Sequence, residues 1–277
     1  MSKLYIVGTP IGNLSDFSPR GKETLEAVDF IAAEDTRVTL KLLSRFSISK
    51  PMVSYYEHNL RERGEVITAR ILAGESCAIV TDAGMPCISD PGEELVKLCA
   101  QKGIDVVAIP GPSAAITALA LSGLDTSRFS FEGFLTTNKA GRRQHLEEIC
   151  ELGRTLIFYE APHKLRSTLK DMLAVLGDRK ISLCRELTKI YEEVIRTTLS
   201  EAIIYYSEVE PKGEFVLIIE GAAPRVKELP TLEEAASLAA RLMDEGMKPS
   251  IAAKEAAAKT GLKKADIYRL LLEEDKQ

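Results

Sequence analysis

The sequence predicts an α/β protein, and three features predict it. Short apolar runs rich in β-branched residues recur as far as Ile219, amphipathic segments of helical period lie between them, and Gly, Pro and Asp cluster directly after the runs. The clearest strand-like runs are Leu4–Val7, Phe30–Ala33, Ala78–Val80, Val106–Ile109, Leu156–Tyr159, Ile181–Cys184 and Phe215–Ile219. Helical periodicity covers Asn59–Leu72, Glu93–Gln101, Ser113–Leu121, Arg143–Glu151 and Lys164–Leu176. Ser113 has the chemistry of an N-cap, and Gly74 and Gly123 stand where helices stop.

A chain of 277 residues exceeds one typical domain. The reading here is an N-terminal α/β domain over 1–113, a second α/β domain over 114–224 and a helical domain over 231–277, with Ala222–Pro230 as linker. From Thr231 onward the chain is rich in Ala, Leu, Glu and Lys, and Gly246, Pro249 and Gly261 cut it into three short helices. Pro249–Leu272, with a glycine between two helices, resembles a helix-turn-helix. Lys248–Arg269 holds six basic residues, Lys263 and Lys264 among them, against two acidic ones, in a chain of net charge −5.

That overall charge excludes a strongly basic nucleic-acid coat but leaves room for a local basic stripe. Five cysteines without a CxxC pair and three histidines without HExxH spacing give no support to a metal site, and the cysteines point to a reducing compartment. Met1–Gly8 lacks the parts of a secretion signal, and no apolar stretch is long enough to span a bilayer. A cytoplasmic protein without membrane contact is the expectation.

The loops carry the functional signal. Four strand-like runs lead straight into Gly8-Thr9-Pro10-Ile11-Gly12-Asn13, Thr81–Pro86 followed by Ser89–Gly92, Pro110–Ala114 and Glu160–His163. In open α/β sheets ligands bind beyond the carboxyl ends of the strands. Glycines there admit a ligand close to the backbone, and prolines hold the loop shape. The first loop is GxxxGN, so the dinucleotide fingerprint G-x-G-x-x-G is absent, as are a P-loop and a G-x-S-x-G elbow. These loops contain few Lys or Arg residues, which suits adenosine joined to an amino acid better than a polyphosphate. Asp82 is suited to amino or hydroxyl groups and Met85 to an apolar portion. S-adenosylmethionine satisfies that description without being demanded by it.

Eight blocks in order, LYIVGTPIGNLSD (4–16), AAEDTR (32–37), TDAGMPCISDPG (81–92), PGPSAAITAL (110–119), FEGFL (131–135), FYEAPHKL (158–165), RELTK (185–189) and GEFVLIIEG (213–221), resemble those of the bacterial 16S rRNA cytidine 2′-O-ribose methyltransferases, members of the tetrapyrrole methylase superfamily. The resemblance covers almost the whole chain. It implies two α/β domains with S-adenosylmethionine in the cleft between them, a homodimer, and a cytidine of the small ribosomal subunit as substrate. By motif match the cofactor contacts are Pro10, Asp82, Ala83, Met85, Ser113, Ala114, Tyr159, Glu160, Leu187 and Glu214. One block departs from the family pattern, where Thr136 follows FEGFL in place of the usual proline.

A ribose hydroxyl is a weak nucleophile, so a positioned base is worth roughly 10²–10⁴-fold. Asp35, Glu160 and Glu186 are the candidates, each with a plainer alternative: Asp35 as a helix cap, Glu160 as a cofactor contact, Glu186 as an ion-pair partner of Arg185 or Lys189. Arg37, Arg185 and Lys189, with Lys263 and Lys264 of the tail, are the candidate RNA contacts, and Lys139, Arg142 and Arg143 form a second candidate edge. Two other readings stand beside this one: a small-molecule methylase of the same superfamily, and a DNA-binding regulator working through the tail.

Overall fold

The computed structural model describes residues 2–223 and 231–274, with side chains through Leu271. The chain divides into a body, Met1–Ala223, and a C-terminal unit, Pro224–Gln277. The expected linker lies outside the described residues from Pro224 onward.

The body opens with β1 (Leu4–Val7), α1 (Pro19–Ala27), β2 (Phe30–Ala33), α2 (Thr36–Arg45), β3 (Met52–Ser54), α3 (Leu60–Leu72), β4 (Cys77–Val80), α4 (Gly92–Gln101) and β5 (Val106–Ile109). The five strands pair in the order β3-β2-β4-β1-β5, all parallel. Helices cover both faces, which is why the central strands are buried throughout and read as unbroken apolar runs. Successive side chains of β2 face opposite ways. Phe30 and Ala32 join Ile67, Ile71, Leu95 and Cys99 of α3 and α4, whereas Ile31 and Ala33 join Leu25 of α1 and Leu43 of α2. Because all five strands run the same way, their carboxyl ends and the loops that follow share one edge.

The chain then enters α5 (Ala114–Ser122), β6 (Phe129–Phe134), α6 (Lys139–Ile149), β7 (Thr155–Glu160), α7 (Pro162–Leu176), β8 (Lys180–Arg185), β9 (Glu193–Thr198), α8 (Leu199–Glu208) and β10 (Phe215–Ile219). Here the order is β6-β7-β10-β8-β9, with β10 antiparallel to both β7 and β8. Ala115, Ala118 and Leu119 of α5 pack on Ile157, Cys184 and Ile218 of this sheet, while α6, α7 and α8 cover its other face. Gly123 (φ +74°) ends α5, in the left-handed geometry its sequence position suggests. Ser113 occupies the N-cap position of α5, but its side chain makes no capping hydrogen bond.

The C-terminal unit consists of α9 (Leu232–Asp244), α10 (Pro249–Thr260) and α11 (Lys264–Glu274). Thr231 and Glu234 form a reciprocal capping box at the start of α9, and Gly261 (φ +76°) turns α10 into α11. Its core is built largely from small side chains, with Ala235, Ala239, Ala252, Ala253 and Ala256 closing on Leu242, Ile267 and Leu271. No helix among the described residues is long and apolar enough to cross a membrane.

Candidate cofactor and acceptor site

Register places the site. Phe215, the first residue of β10, pairs with Glu160 at the end of β7 and with Arg185 at the end of β8, so three strands of the second sheet meet at one point. Three loops of the first sheet arrive from the other side. Thr9 and Gly84 exchange backbone hydrogen bonds (2.8 and 3.2 Å), tying the first loop to the second. The first and third loops touch backbone to backbone: a Cβ on Gly8 would lie 2.7 Å from Gly111 Cα. Gly8 and Gly111 are there because nothing larger fits between those loops.

The enclosed space is a cavity of about 530 Å³, within the size range of small-ligand sites. One wall is polar and acidic, with Glu34, Thr81, Asp82, Ser89 and Asp90. The other is mostly apolar, with Ile11, Phe134, Tyr159, Cys184, Leu187, Phe215 and Val216. Glu160 and Glu214 add two further carboxylates, and no Lys, Arg or His among the described residues lines the cavity. Tyr159 is set by Phe131 and Phe134 (ring centroids 5.1 and 5.4 Å), and burial pushes its phenol pKa up.

The acidic wall holds two carboxylates that sequence reasoning missed. Glu34, the last residue before the α2 cap, accepts a hydrogen bond from the Thr81 hydroxyl (2.6 Å) and faces Asp82 and Asp90. Burial raises the Asp90 pKa to about 6, and the Glu34 charge adds to the rise against the opposing Thr81 hydroxyl. Asp82 is raised for the same two reasons, burial first and then Glu34. Cys87 and Ser89, in the loop that carries Asp90, have φ of +74° and +60°. Glu186 (+51°) and Thr188 (+65°) do the same in the loop after β8. Backbone held in this region costs of order 1–3 kcal/mol per residue and tends to be retained at functional sites.

Of the motif-matched residues, Asp82, Ala83, Met85, Ser113, Ala114, Tyr159, Glu160, Leu187 and Glu214 line the cavity. Pro10, next to the paired Thr9, lines a neighbouring groove instead. The three candidate bases separate. Asp35 caps α2, accepting from Arg37 N (2.8 Å) and from the Arg37 guanidinium (2.6–3.2 Å), which hold its pKa down at about 2. It is absent from the cavity wall and a poor proton acceptor. Glu186 also lies outside the wall, where Lys189 Nζ (2.9 Å) and Glu214 N (3.0 Å) occupy the same oxygen, Oε1. Burial opposes its ionisation, but those donors win and its pKa falls. Glu160 does reach the cavity, yet it is 2% exposed and committed: Oε1 accepts from Ala161 N (2.8 Å) and Oε2 from the Thr168 hydroxyl (2.5 Å). It fixes the start of α7.

Arg185 turns from the cavity to pair with Glu193 (3.0 Å), and Lys189 is held between Glu186 and Glu214 (2.9 and 3.0 Å). Burial works against the Lys189 charge, but those carboxylates raise its pKa. Arg37 is 87% exposed beside Asp35. Arg142 is not an exposed RNA edge. It is buried against Asp171 (2.5 Å) and also donates to the Thr136 and Thr137 carbonyls, so it shapes the loop where the family proline is missing. In the C-terminal unit Lys263 is exposed, and Lys264 reaches the Ser250 hydroxyl (2.9 Å).

A cavity at converging strand ends of two different sheets is the setting for comparison with known proteins. Residues 3–203 match the model of the family described as Tetrapyrrole (Corrin/Porphyrin) Methylases, and residues 230–275 match the RsmI C-terminal HTH domain. Among solved structures, uroporphyrin III C-methyl transferase from Thermus thermophilus superposes with a TM-score of 0.56 at 18% identity, covering 79% of this chain and 97% of that one. Diphthine synthase gives 0.60 at 16%, covering 79% and 90%. At such identities these likenesses establish the fold, and with the family match they define the class: an α/β methylase. Ribosomal RNA small subunit methyltransferase I of Synechocystis sp. is 47% identical over 274 residues, spanning 99% of this chain and 98% of that protein. Its namesakes from Halalkalibacterium halodurans and Escherichia coli O157:H7 are 48% and 45% identical, each spanning 98% of this chain and 95% of the relative. The chain belongs to the tetrapyrrole methylase family and, within it, to the ribosomal RNA small subunit methyltransferase I group.

Proposed function

We propose that this protein transfers a methyl group from S-adenosylmethionine to the ribose 2′-hydroxyl of a cytidine in 16S rRNA of the small ribosomal subunit. The observation that carries the cofactor half is the charge of the cavity, which has five carboxylates and, among the described residues, no basic side chain on its wall. Such a wall repels polyphosphates and favours a cation. The opposite, apolar wall suits the adenine ring, so the residues present fit the cofactor. When bound, it supplies an electrophilic methyl group on a positively charged sulfur.

The protein's own part is alignment and proton removal. Alignment of the acceptor oxygen at contact distance provides a large share of the acceleration in such displacements. Asp90 takes the hydroxyl proton on its carboxylate. It faces the cavity, and unlike Asp35, Glu160 and Glu186 it is not tied to a cation or a buried donor pair. A base whose pKa lies near the working pH combines ionisation with proton affinity. Since the reaction requires the ionised carboxylate, the rate falls as pH drops through about 6.

The same reading makes the protein a cytoplasmic homodimer, and sedimentation equilibrium tests the dimer. The substrate is tested by transfer of labelled methyl from S-adenosylmethionine to small subunits from cells lacking this protein, followed by nucleoside analysis. Label in a 2′-O-methylated cytidine is the expected result. Absence of label in RNA from a protein that binds the cofactor would move the substrate to a small molecule.

A further inference from the structure

The acidic cavity raises a question about RNA: its phosphates are repelled by the wall that holds the cofactor, so they must be held elsewhere. Beside the cavity runs a second groove of about 330 Å³, sharing Ile11, Asp82, Ala83 and Glu214 with it. One side of this groove is α2, through Val38, Lys41 and Leu42.

Helix α2 contains no acidic residue, and its basic residues Arg37, Lys41 and Arg45 recur every four positions, which puts them on one face. All three are exposed. Asp35 neutralises Arg37, whereas Lys41 and Arg45 have no carboxylate partner among the described residues. In a chain of net charge −5, Lys41 and Arg45 leave an uncompensated positive edge about 6 Å long beside the cavity entrance.

We propose that the exposed face of α2 binds the phosphate backbone of the RNA strand next to the target nucleotide, with Lys41 and Arg45 as the phosphate contacts and the shared groove admitting the target ribose. This rests on the ribosomal RNA reading above. The occupant is RNA rather than protein because the face offers repeated cations flanking a groove and only isolated apolar side chains, Leu14 (41% exposed) and Leu40 (53%). The division of charge also has a chemical consequence. Phosphates held on α2 stay out of the cavity, so the substrate neither adds negative charge beside its carboxylates nor competes with them for the cationic cofactor.

The test uses the full-length protein and measures affinity for small subunits lacking the modification across a series of KCl concentrations. Cofactor affinity and single-turnover rate are measured alongside. For a double variant, Lys41→Ala with Arg45→Ala, subunit affinity falls at least tenfold at moderate salt. The slope of log affinity against log salt becomes shallower by about 1.4, near 0.7 for each single-strand phosphate that is no longer neutralised. Cofactor affinity and the rate at saturating subunits stay as in wild type. Exchanging the two cations, Lys41→Arg with Arg45→Lys, restores both affinity and slope, and Lys97→Ala on α4 behaves as wild type. Unchanged affinity and slope in the double variant would overturn the proposal. So would reduced affinity with an unchanged slope, which would assign the face to a ribosomal protein. Wild-type protein that binds cofactor but methylates no subunit RNA would remove the underlying reading itself, a result separable from both.

Discussion

The two sheets of the body have the same number of strands and make different contributions to one site. The first is all parallel, so its carboxyl ends share an edge and its loops bring Glu34, Asp82 and Asp90 together. The second has β10 reversed between β7 and β8, so the site receives two strand ends and one strand start, and with them Tyr159, Leu187, Phe215 and Val216. Topology thus sorts the chemistry in part: loops of the parallel sheet deliver three of the five carboxylates, whereas the mixed sheet delivers most of the large apolar side chains together with Glu160 and Glu214. The cavity needs both sheets for its volume and draws carboxylates from both.

The harshest way to break this comparison is to fill the space between the walls. Ala114→Trp places an indole at the start of α5, on the cavity wall, and should abolish cofactor binding by calorimetry and all methyl transfer while circular dichroism stays unchanged. Removing residues 231–277 is next. If the C-terminal unit grips the subunit, activity on intact subunits falls at least tenfold while cofactor affinity is retained, and undiminished activity would show that the body docks alone. A milder change sharpens the second sheet's role. Thr168→Val leaves Oε2 of buried Glu160 without its donor, at a cost of about 1–3 kcal/mol. Thermal denaturation should show a Tm lower by about 2–4 °C per kcal/mol. Smallest is Arg37→Ala, expected to weaken subunit binding only a few-fold because Asp35 already offsets that charge. The same variant lets the Asp35 pKa climb from about 2 toward the ordinary carboxylate range, readable by NMR titration.

Much of the architecture is legible in the sequence, and what is not has identifiable causes. The central strands are buried on both faces and show as apolar runs. The strands that do not show so clearly are at sheet edges: β3 has three residues, β9 carries Glu193 and Arg196, and β6 is interrupted by a register shift at Gly133. Helix α8 is signalled by its Thr198–Glu201 capping box, and α1 by Ser18 followed by Pro19. In the site, glycine-rich loops announce themselves. The carboxylates are harder, because which one faces the cavity depends on where the following helix begins. In AAEDTR the N-cap falls on Asp35, which turns that carboxylate to its own helix and leaves Glu34 to the cavity. Asp90 is one more loop aspartate until packing half-buries it near Glu34.

The central claim is that the parallel sheet supplies the proton acceptor, Asp90, while the other four carboxylates and the apolar wall retain the cofactor. Its most direct test is Asp90→Asn, with S-adenosylmethionine affinity and the single-turnover rate on small subunits measured on the same preparation across pH. The account predicts near wild-type cofactor affinity, a rate reduced about 10²–10⁴-fold, and loss of the acid limb near pH 6. A variant that keeps its rate, or that loses cofactor binding in proportion to activity, would contradict it.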